Sequence, residues 1–367
     1  MRKTVLMTVA TVLTYVSAMA QVTPMVLGEK HAMLRVEQPS KYLLLPVQET
    51  EDIAAIAVLN GKNEMMQRIN VKLAVDRVDY YVPYELRDAK LLDIEFHGDR
   101  RLKGAVAEFA CWKEIKYSDT YDTTNREHFR PVYHHTPTYG WMNDPNGMFY
   151  QDGVWHLFYQ YNPYGSQWEN MHWGHSTSKD LVHWEAQPLT FEPDWLGSIF
   201  SGSCITNGDD VVAFYTSAGH HQTQSMAISK DGGMTFKKYE GNPILTSDKP
   251  DFRDPNVFWF EGTKRWIMIL AVGQEMQLFS SENLKDWKYE SAFGQEYGNH
   301  GGVWECPDLI QIGDKWVLIC NINPGGPFGG SATQYFVGQF DGHKFTCESM
   351  PWAVRRRCSV PSGSGLT

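Results

Sequence analysis

Three acidic residues stand in closely related settings along this 367-residue chain. They are Asp144 in the run Trp141–Gly147, Asp254 in the run Phe252–Val257, and Glu305 in the run Val303–Leu309. Each opens a short apolar run that a turn and a second apolar run follow. Carboxyl groups gathered in one pocket can act as general acid and base, or one of them can attack an electrophilic carbon. Any single Asp before Pro is equally well a turn former, because its side chain accepts from nearby backbone N–H groups. The shared register of all three is what points to a site.

The elements that must position them form a repeat. From Asp144 an apolar run reaches a turn at Asp152-Gly153 and continues in Trp155, Leu157, Phe158 and Tyr159. The design returns from Asp254, with a turn at Glu261-Gly262, and from Pro307, with a turn at Gly313-Asp314. A weaker copy starts at Ser203 and turns at Asn207-Gly208. These are hairpin signals. Between them a second signature leads from Ser178, Ser229, Ser281 and Asp341 to the aromatic anchors Trp184, Phe236, Trp287 and Phe345. The anchors recur about every 50 residues, the length of a four-stranded propeller blade. The expected fold is all-β: a β-propeller with about four blades present, preceded by a small β-sandwich-like domain. The start of each innermost strand opens onto one face of a propeller, so the three carboxyl groups should share a funnel.

With these motifs on the page, the chain resembles glycoside hydrolase family 32, the β-fructofuranosidases. Trp141–Gly147, Arg253-Asp254-Pro255 and Glu305-Cys306 look like its three signature motifs, in order. Tyr159 to Trp168 and Phe200–Ser203 match secondary ones, and the likeness covers about residues 130 to 350. It implies a propeller of the five-bladed type and retaining hydrolysis of β-fructofuranosidic bonds in sucrose, levan or inulin. Asp144 would be the nucleophile, Glu305 the acid and then base, and Asp254 the stabiliser of the transition state, kept charged by Arg253. A retaining pair of carboxyls stands about 5 to 5.5 Å apart, and a third can hold substrate hydroxyls. The sugar-binding positions implied are Asn143, Gln160, Trp168, Phe200, Ser201 and Arg253: amides for ring hydroxyls, aromatic rings for C–H faces. Neither metal nor cofactor is implied.

Other features read as structural. Trp155, Trp184, Trp266, Trp287 and Trp316 recur at blade positions and are expected in the core. His172 and His175 have the spacing of some metal pairs but lack a third convincing ligand, so they read as hydrogen-bonding residues. The six cysteines have no framework spacing, and a chain of this length can build its core without staples; no disulfide is assigned. Cys306 reads as a small buried filler beside Glu305.

The formal net charge of −10 argues against nucleic acid as a partner and suits a neutral sugar. Arg2 and Lys3 precede an apolar stretch from Val5 to Val16 and a small-residue site at Ala18-Met19-Ala20, so residues 1 to 20 read as a secretory signal. A periplasmic or secreted protein without a membrane anchor is expected. Its oligomeric state is open.

Residues 21 to about 125 lack the blade signature. Val71, Leu73 and Val75, and then Leu92, Ile94 and Phe96, alternate with polar residues, as strands of a small all-β module would. That module reads as a buttress more readily than as a glycan-binding domain resting on Tyr80, Tyr81 and Trp112. Residues 126 to 367 hold the propeller. A fifth unit would begin near residue 360, where the pattern has stopped, so a shortened and weakened hydrolase is the expectation. Two other classes stay open: an inverting five-bladed arabinosidase or xylosidase, and a sugar-binding propeller without turnover.

Overall fold

The computed structural model describes residues 22–37, 39–98, 104–124, 130–348 and 360–361. The expected secretory signal, Cys358 and the basic runs at Arg100-Arg101 and Arg355–Arg357 lie outside them.

The chain forms two compact units. One comprises the residues up to Glu64 together with Lys72–Tyr121, and the other comprises Met65–Val71 with everything from Asp122 onward. The grouping of Met65–Val71 with the second unit has no signal in the periodicity.

In the first unit the strands are β1 (Met25–Gly28), β2 (His31–Arg35), β3 (Tyr42–Val47) and β4 (Ala54–Asn60). They are joined by β6 (Tyr80–Glu85), β7 (Ala89–Phe96) and β8 (Lys116–Ser118), while β5 (Met65–Val71) belongs to the second unit. β1, β2, β7 and β4 lie side by side in one sheet, and β6, β3 and β8 form another. Leu92, Ile94 and Phe96 alternate inward along β7 as expected, each at most 1% exposed. Val71 closes β5, and the stretch beyond it makes only an isolated bridge from Leu73 to Val47. The alternation there reflects burial rather than a strand. Trp112 is 2% exposed and donates to the Val106 carbonyl at 2.6 Å, while the rings of Phe96 and Phe109 pack nearby. It is a core residue and cannot serve as a sugar platform. Tyr80 and Tyr81 direct their hydroxyls to Glu49 and Glu114.

The second unit carries four antiparallel four-stranded sheets, each a meander. The first holds β9 (Trp141–Gln151), β10 (Val154–Asn162), β11 (His172–Ser178) and β12 (Trp184–Phe191). Next come β13 (Ser198–Asn207), β14 (Asp210–Ala218), β15 (Gln222–Ser229) and β16 (Lys237–Lys238). The third sheet is β17 (Phe252–Phe260), β18 (Arg265–Val272), β19 (Glu275–Ser281) and β20 (Lys288–Phe293). The fourth is β21 (Val303–Ile312), β22 (Lys315–Asn323), β23 (Ala332–Phe340) and β24 (Phe345–Cys347), with Val360–Pro361 (β25) also paired to β23. These are four blades of a propeller of the five-bladed type, with β9, β13, β17 and β21 innermost and in contact in sequence.

Blade stacking explains the apolar strands. Along β18, Met268, Leu270 and Val272 pack toward the second blade, whereas Ile267, Ile269 and Ala271 pack toward the fourth. Period-two geometry sends alternate side chains to opposite faces, so β18, covered on both, reads as a near-continuous apolar run. The hairpin turn at Asp152-Gly153 has φ of 52° and 83°, the left-handed pair that this tight turn requires. The second signature is a corner motif. The Ser178 and Ser281 hydroxyls accept the N–H groups of Leu181 and Leu284, and Asp180, Asp231 and Asn283 accept from the residues that follow them.

Two expectations shift. The second blade begins at Ser198, five residues before the position read from the hairpin signal, because Phe200-Ser201-Gly202 belongs to the strand. Trp155, Trp184, Trp266, Trp287 and Trp316 are half-buried, the last four on the margins of the apolar clusters. The fully buried tryptophans of this unit are Trp173 and Trp304.

Candidate active site

Each innermost strand slips its register at the same place. In β9 one of two irregularities falls between Met142 and Pro145; in β13 it falls between Ile199 and Gly202, in β17 between Arg253 and Asn256, and in β21 between Glu305 and Asp308. The residues released from the ladder are Asn143-Asp144, Phe200-Ser201, Asp254-Pro255 and Cys306-Pro307. A bulge bends its strand and re-aims a side chain, which is how an extended strand presents a carboxyl group across its own direction. Asp254 and Cys306 have φ of 63° and 47°, left-handed values that non-glycine residues rarely hold. Gly202 closes the bulge in β13, where a Cβ would stand 1.9 Å from the Phe214 carbonyl oxygen. No other residue fits there without moving backbone.

The bulged residues meet. Ser201 Oγ donates to Asp144 Oδ2 at 2.8 Å. The Cys306 N–H donates to Asp254 Oδ2 at 2.8 Å, and its Sγ lies 3.6 Å from that oxygen and 3.9 Å from Asp144 Oδ2. Asp144 and Asp254 therefore flank one thiol. Arg253 reaches across to the fourth blade, where Nη2 donates to Glu305 Oε1 at 2.9 Å, and Nη1 donates to Asp251 Oδ1 at 2.6 Å. Asn323 Nδ2 approaches the same Glu305 oxygen at 3.5 Å. All three sequence-derived carboxyls thus belong to one cluster.

Arg253 does not hold Asp254 ionised in the expected way. Its Nε is 3.8 Å from Asp254 Oδ2, while its closer contacts go to Asp251 and Glu305. Burial pushes the Asp254 carboxyl up to about 6; the guanidinium and the Cys306 N–H oppose the shift, and the charges of Asp144 and Glu305 add to it. Desolvation wins because the side chain is only 7% exposed. Cys306 is more than a filler, since its N–H orients Asp254. Burial and the neighbouring carboxylates drive its thiol well above the usual range, so it is no nucleophile.

The expected sugar-binding positions divide. Trp168 is 54% exposed, and its ring meets that of Phe200 edge to face with centroids 5.9 Å apart. Asn143 accepts from Trp141 Nε1 at 2.9 Å. Gln160 is 2% exposed and stands behind Asn146, a residue the sequence reading passed over. With the Asn146 amide oriented to satisfy its neighbours, its oxygen accepts from Gln160 Nε2 at 3.1 Å and its nitrogen donates to Ser201 Oγ at 3.2 Å. The line Gln160, Asn146, Ser201, Asp144 fixes the direction of each proton and ends on the carboxylate. Asp251 was also missed: it precedes β17 with a left-handed φ of 54°, so no strand alternation announces its contact with Arg253.

His172 hydrogen-bonds the Asn170 carbonyl and lies 3.2 Å from Gln67 Nε2. His175 pairs with His156 at 3.1 Å inside the first blade. The five described cysteines are free thiols. Burial, then the charge of His156, holds His175 down to about 3, and burial lowers His156. The folded state therefore binds fewer protons than the unfolded chain between the ordinary histidine value near 6.5 and about 3. Stability is complete above that window and falls through it, by up to about 1.4 kcal/mol per pH unit for each such group. Thermal unfolding should show a melting temperature that drops between pH 7 and pH 4, with a shallower slope in His175→Gln. An identical slope in the variant would remove the histidine pair as the cause.

Four antiparallel blades, with Asp144 and Asp254 on inner-strand bulges and Glu305 next to a third, make a β-propeller with a carboxyl-lined centre. The sequence matches the glycosyl hydrolases family 32 N-terminal domain over residues 134–356, and the chain belongs to that family. Residues 28–133 match a domain of unknown function, DUF4980. A levanase from Bacillus subtilis is 50% identical over 245 residues, covering 61% of this chain and 36% of the relative. Invertase 1 of Saccharomyces cerevisiae is 41% identical over 250 residues, covering 60% of this chain and 47% of the relative. Among solved structures, a fructofuranosidase from Schwanniomyces occidentalis complexed with fructose aligns at a TM-score of 0.57 and 44% identity, covering 60% of this chain and 48% of that one. The chain thus spans about half, or less, of the length of these relatives.

Proposed function

We propose that this protein hydrolyses β-fructofuranosidic bonds of sucrose or of the fructans levan and inulin, with retention of configuration. The carrying observation is the cluster itself: Asp144 and Asp254 on either side of Cys306, with Glu305 tied to the same group through Arg253. In the first step an Asp144 oxygen bonds to the anomeric carbon as the glycosidic C–O bond breaks, and the Glu305 carboxyl gives its proton to the leaving oxygen. In the second, Glu305 takes a proton from water, the water oxygen replaces Asp144 on the carbon, and fructose leaves. Ser201 engages Oδ2 of Asp144 and so turns the other oxygen toward the carbon. Asp254 accepts from sugar hydroxyls and, with its neighbours, stabilises the positive charge that develops on the fructosyl ring. Asn143, Trp168, Phe200, Ser201 and Arg253 would form the sugar-facing wall, with Gln160 supporting it from behind.

Residues 1 to 20 would be the export signal, 21 to 125 an accessory domain and 126 to 367 the catalytic propeller, placing the protein in the periplasm or outside the cell. Relatives named extracellular exo-inulinases support export. Among the described residues, no helix is long and apolar enough to cross a membrane.

Incubation with sucrose, inulin and levan, with products separated by chromatography and the first anomer followed by NMR, tests the reading. Fructose released first as the β-anomer is expected. An α-anomer would indicate inversion, and binding without turnover would leave a sugar-binding propeller.

A further inference from the structure

We propose that Thr216 and Gln224 are positioning residues for the carboxylate cluster, clamping the two peptide groups on either side of Arg253 and thereby aiming both Arg253 and Asp254. The two are register partners on β14 and β15 of the second blade, and each is 0% exposed. The bulge in β17 leaves Asp254 and Pro255 without ladder partners, and Pro has no N–H. The Asp254 N–H is therefore the one donor that the bulge orphans, and a buried N–H needs a partner. Thr216 supplies it, accepting from the Asp254 N–H at 3.0 Å. The Thr216 hydroxyl donates in turn to Gln224 Oε1 at 2.8 Å, and Gln224 Nε2 donates to the Phe252 carbonyl at 2.8 Å.

The chain of bonds has a single consistent direction. The amide nitrogen can only donate, so it must face the Phe252 carbonyl. Its oxygen then takes the hydroxyl proton, and the Thr216 lone pairs are left for Asp254. Gln224 is itself fixed, its N–H donating to the Leu245 carbonyl at 2.8 Å and its carbonyl accepting from Ile244 at 2.9 Å. The second blade thus holds the third at the positions flanking Arg253. From there the guanidinium reaches Glu305, and the Asp254 carboxyl meets the Cys306 N–H.

The proposal rests on the hydrolase reading for its kinetic consequence, though not for the clamp. In the full chain, Thr216→Val removes the acceptor at nearly constant shape, while Thr216→Ser keeps it. A displacement near 1 Å costs about a hundredfold in rate. Thr216→Val should therefore lower kcat on sucrose by about that factor with KM little changed, and Thr216→Ser should restore it. Residue-resolved amide exchange should show faster exchange at Asp254 in the valine variant alone. A valine variant with wild-type kcat overturns the proposal whatever its melting temperature, as does a serine variant that fails equally. Should Thr216→Val not fold, Gln224→Met carries the same kinetic test with the same two outcomes. A wild-type chain without turnover would defeat the hydrolase reading, and Asp254 exchange would still decide the clamp: unchanged protection in the valine variant rejects it.

Discussion

Asp144→Asn yields a folded protein that releases no measurable fructose, its kcat on sucrose or levan lower by at least about a thousandfold. The substitution keeps the shape of the side chain and its bond from Ser201, whose hydroxyl can donate to the amide oxygen as it does to the carboxylate. What is lost is the charged oxygen that bonds to the anomeric carbon, and no neighbour replaces it. Ser201 already donates to Asp144, and the Cys306 thiol is held protonated by burial and by the surrounding carboxylates. Thermal unfolding should move little, because the side chain is only partly buried. Initial rates beside a melting curve test both halves. Residual activity above a tenth of wild type would assign the nucleophile elsewhere.

For Glu305→Ala the substrate decides the size of the effect. Sucrose and fructans expel a sugar alkoxide that needs a proton, so kcat/KM should fall by about 10²- to 10⁴-fold, the usual range for a positioned general acid. An aryl fructoside with a good leaving group needs little protonation and should lose at least tenfold less. The variant also frees Arg253 from one of its two short carboxylate contacts and leaves it on Asp251. Any general disturbance of the site from that source would affect both substrates alike. Equal losses would therefore take Glu305 out of the acid role and make it an anchor for Arg253.

The three carboxyls were legible because bulged positions in a repeat carry a repeated local signature: an acidic residue or its neighbour followed by Pro at 145, 255 and 307. The blades were legible because hairpin turns and aromatic anchors recur about every 50 residues, the length of one four-stranded blade. Thr216 and Gln224 were not, since a threonine near the end of an apolar strand and a glutamine in the polar start of the next look like any weakly polar pair. Their significance lies in a donor that a bulge on another blade has orphaned, and no local pattern reports that. Asp254 was misjudged for a related reason. Adjacency to Arg253 in sequence suggested a stabilised carboxylate, but the guanidinium turns toward Asp251 and Glu305, and burial outweighs what attraction remains. Cys306 was undervalued because its contribution to Asp254 comes from the backbone, to which side-chain type is silent.

The bulge repeated on four inner strands gives the centre a set of related sockets. Asp144, Ser201, Asp254 and Cys306 each sit on such a bulge, Asp254 and Cys306 with a left-handed backbone and the other two without one. A side chain changed at Asp144 or Ser201 is expected to alter the polar groups of the centre with the ladder between strands left in place. At Asp254 and Cys306 the left-handed backbone ties residue choice to the fold, so there scaffold and chemistry are encoded together.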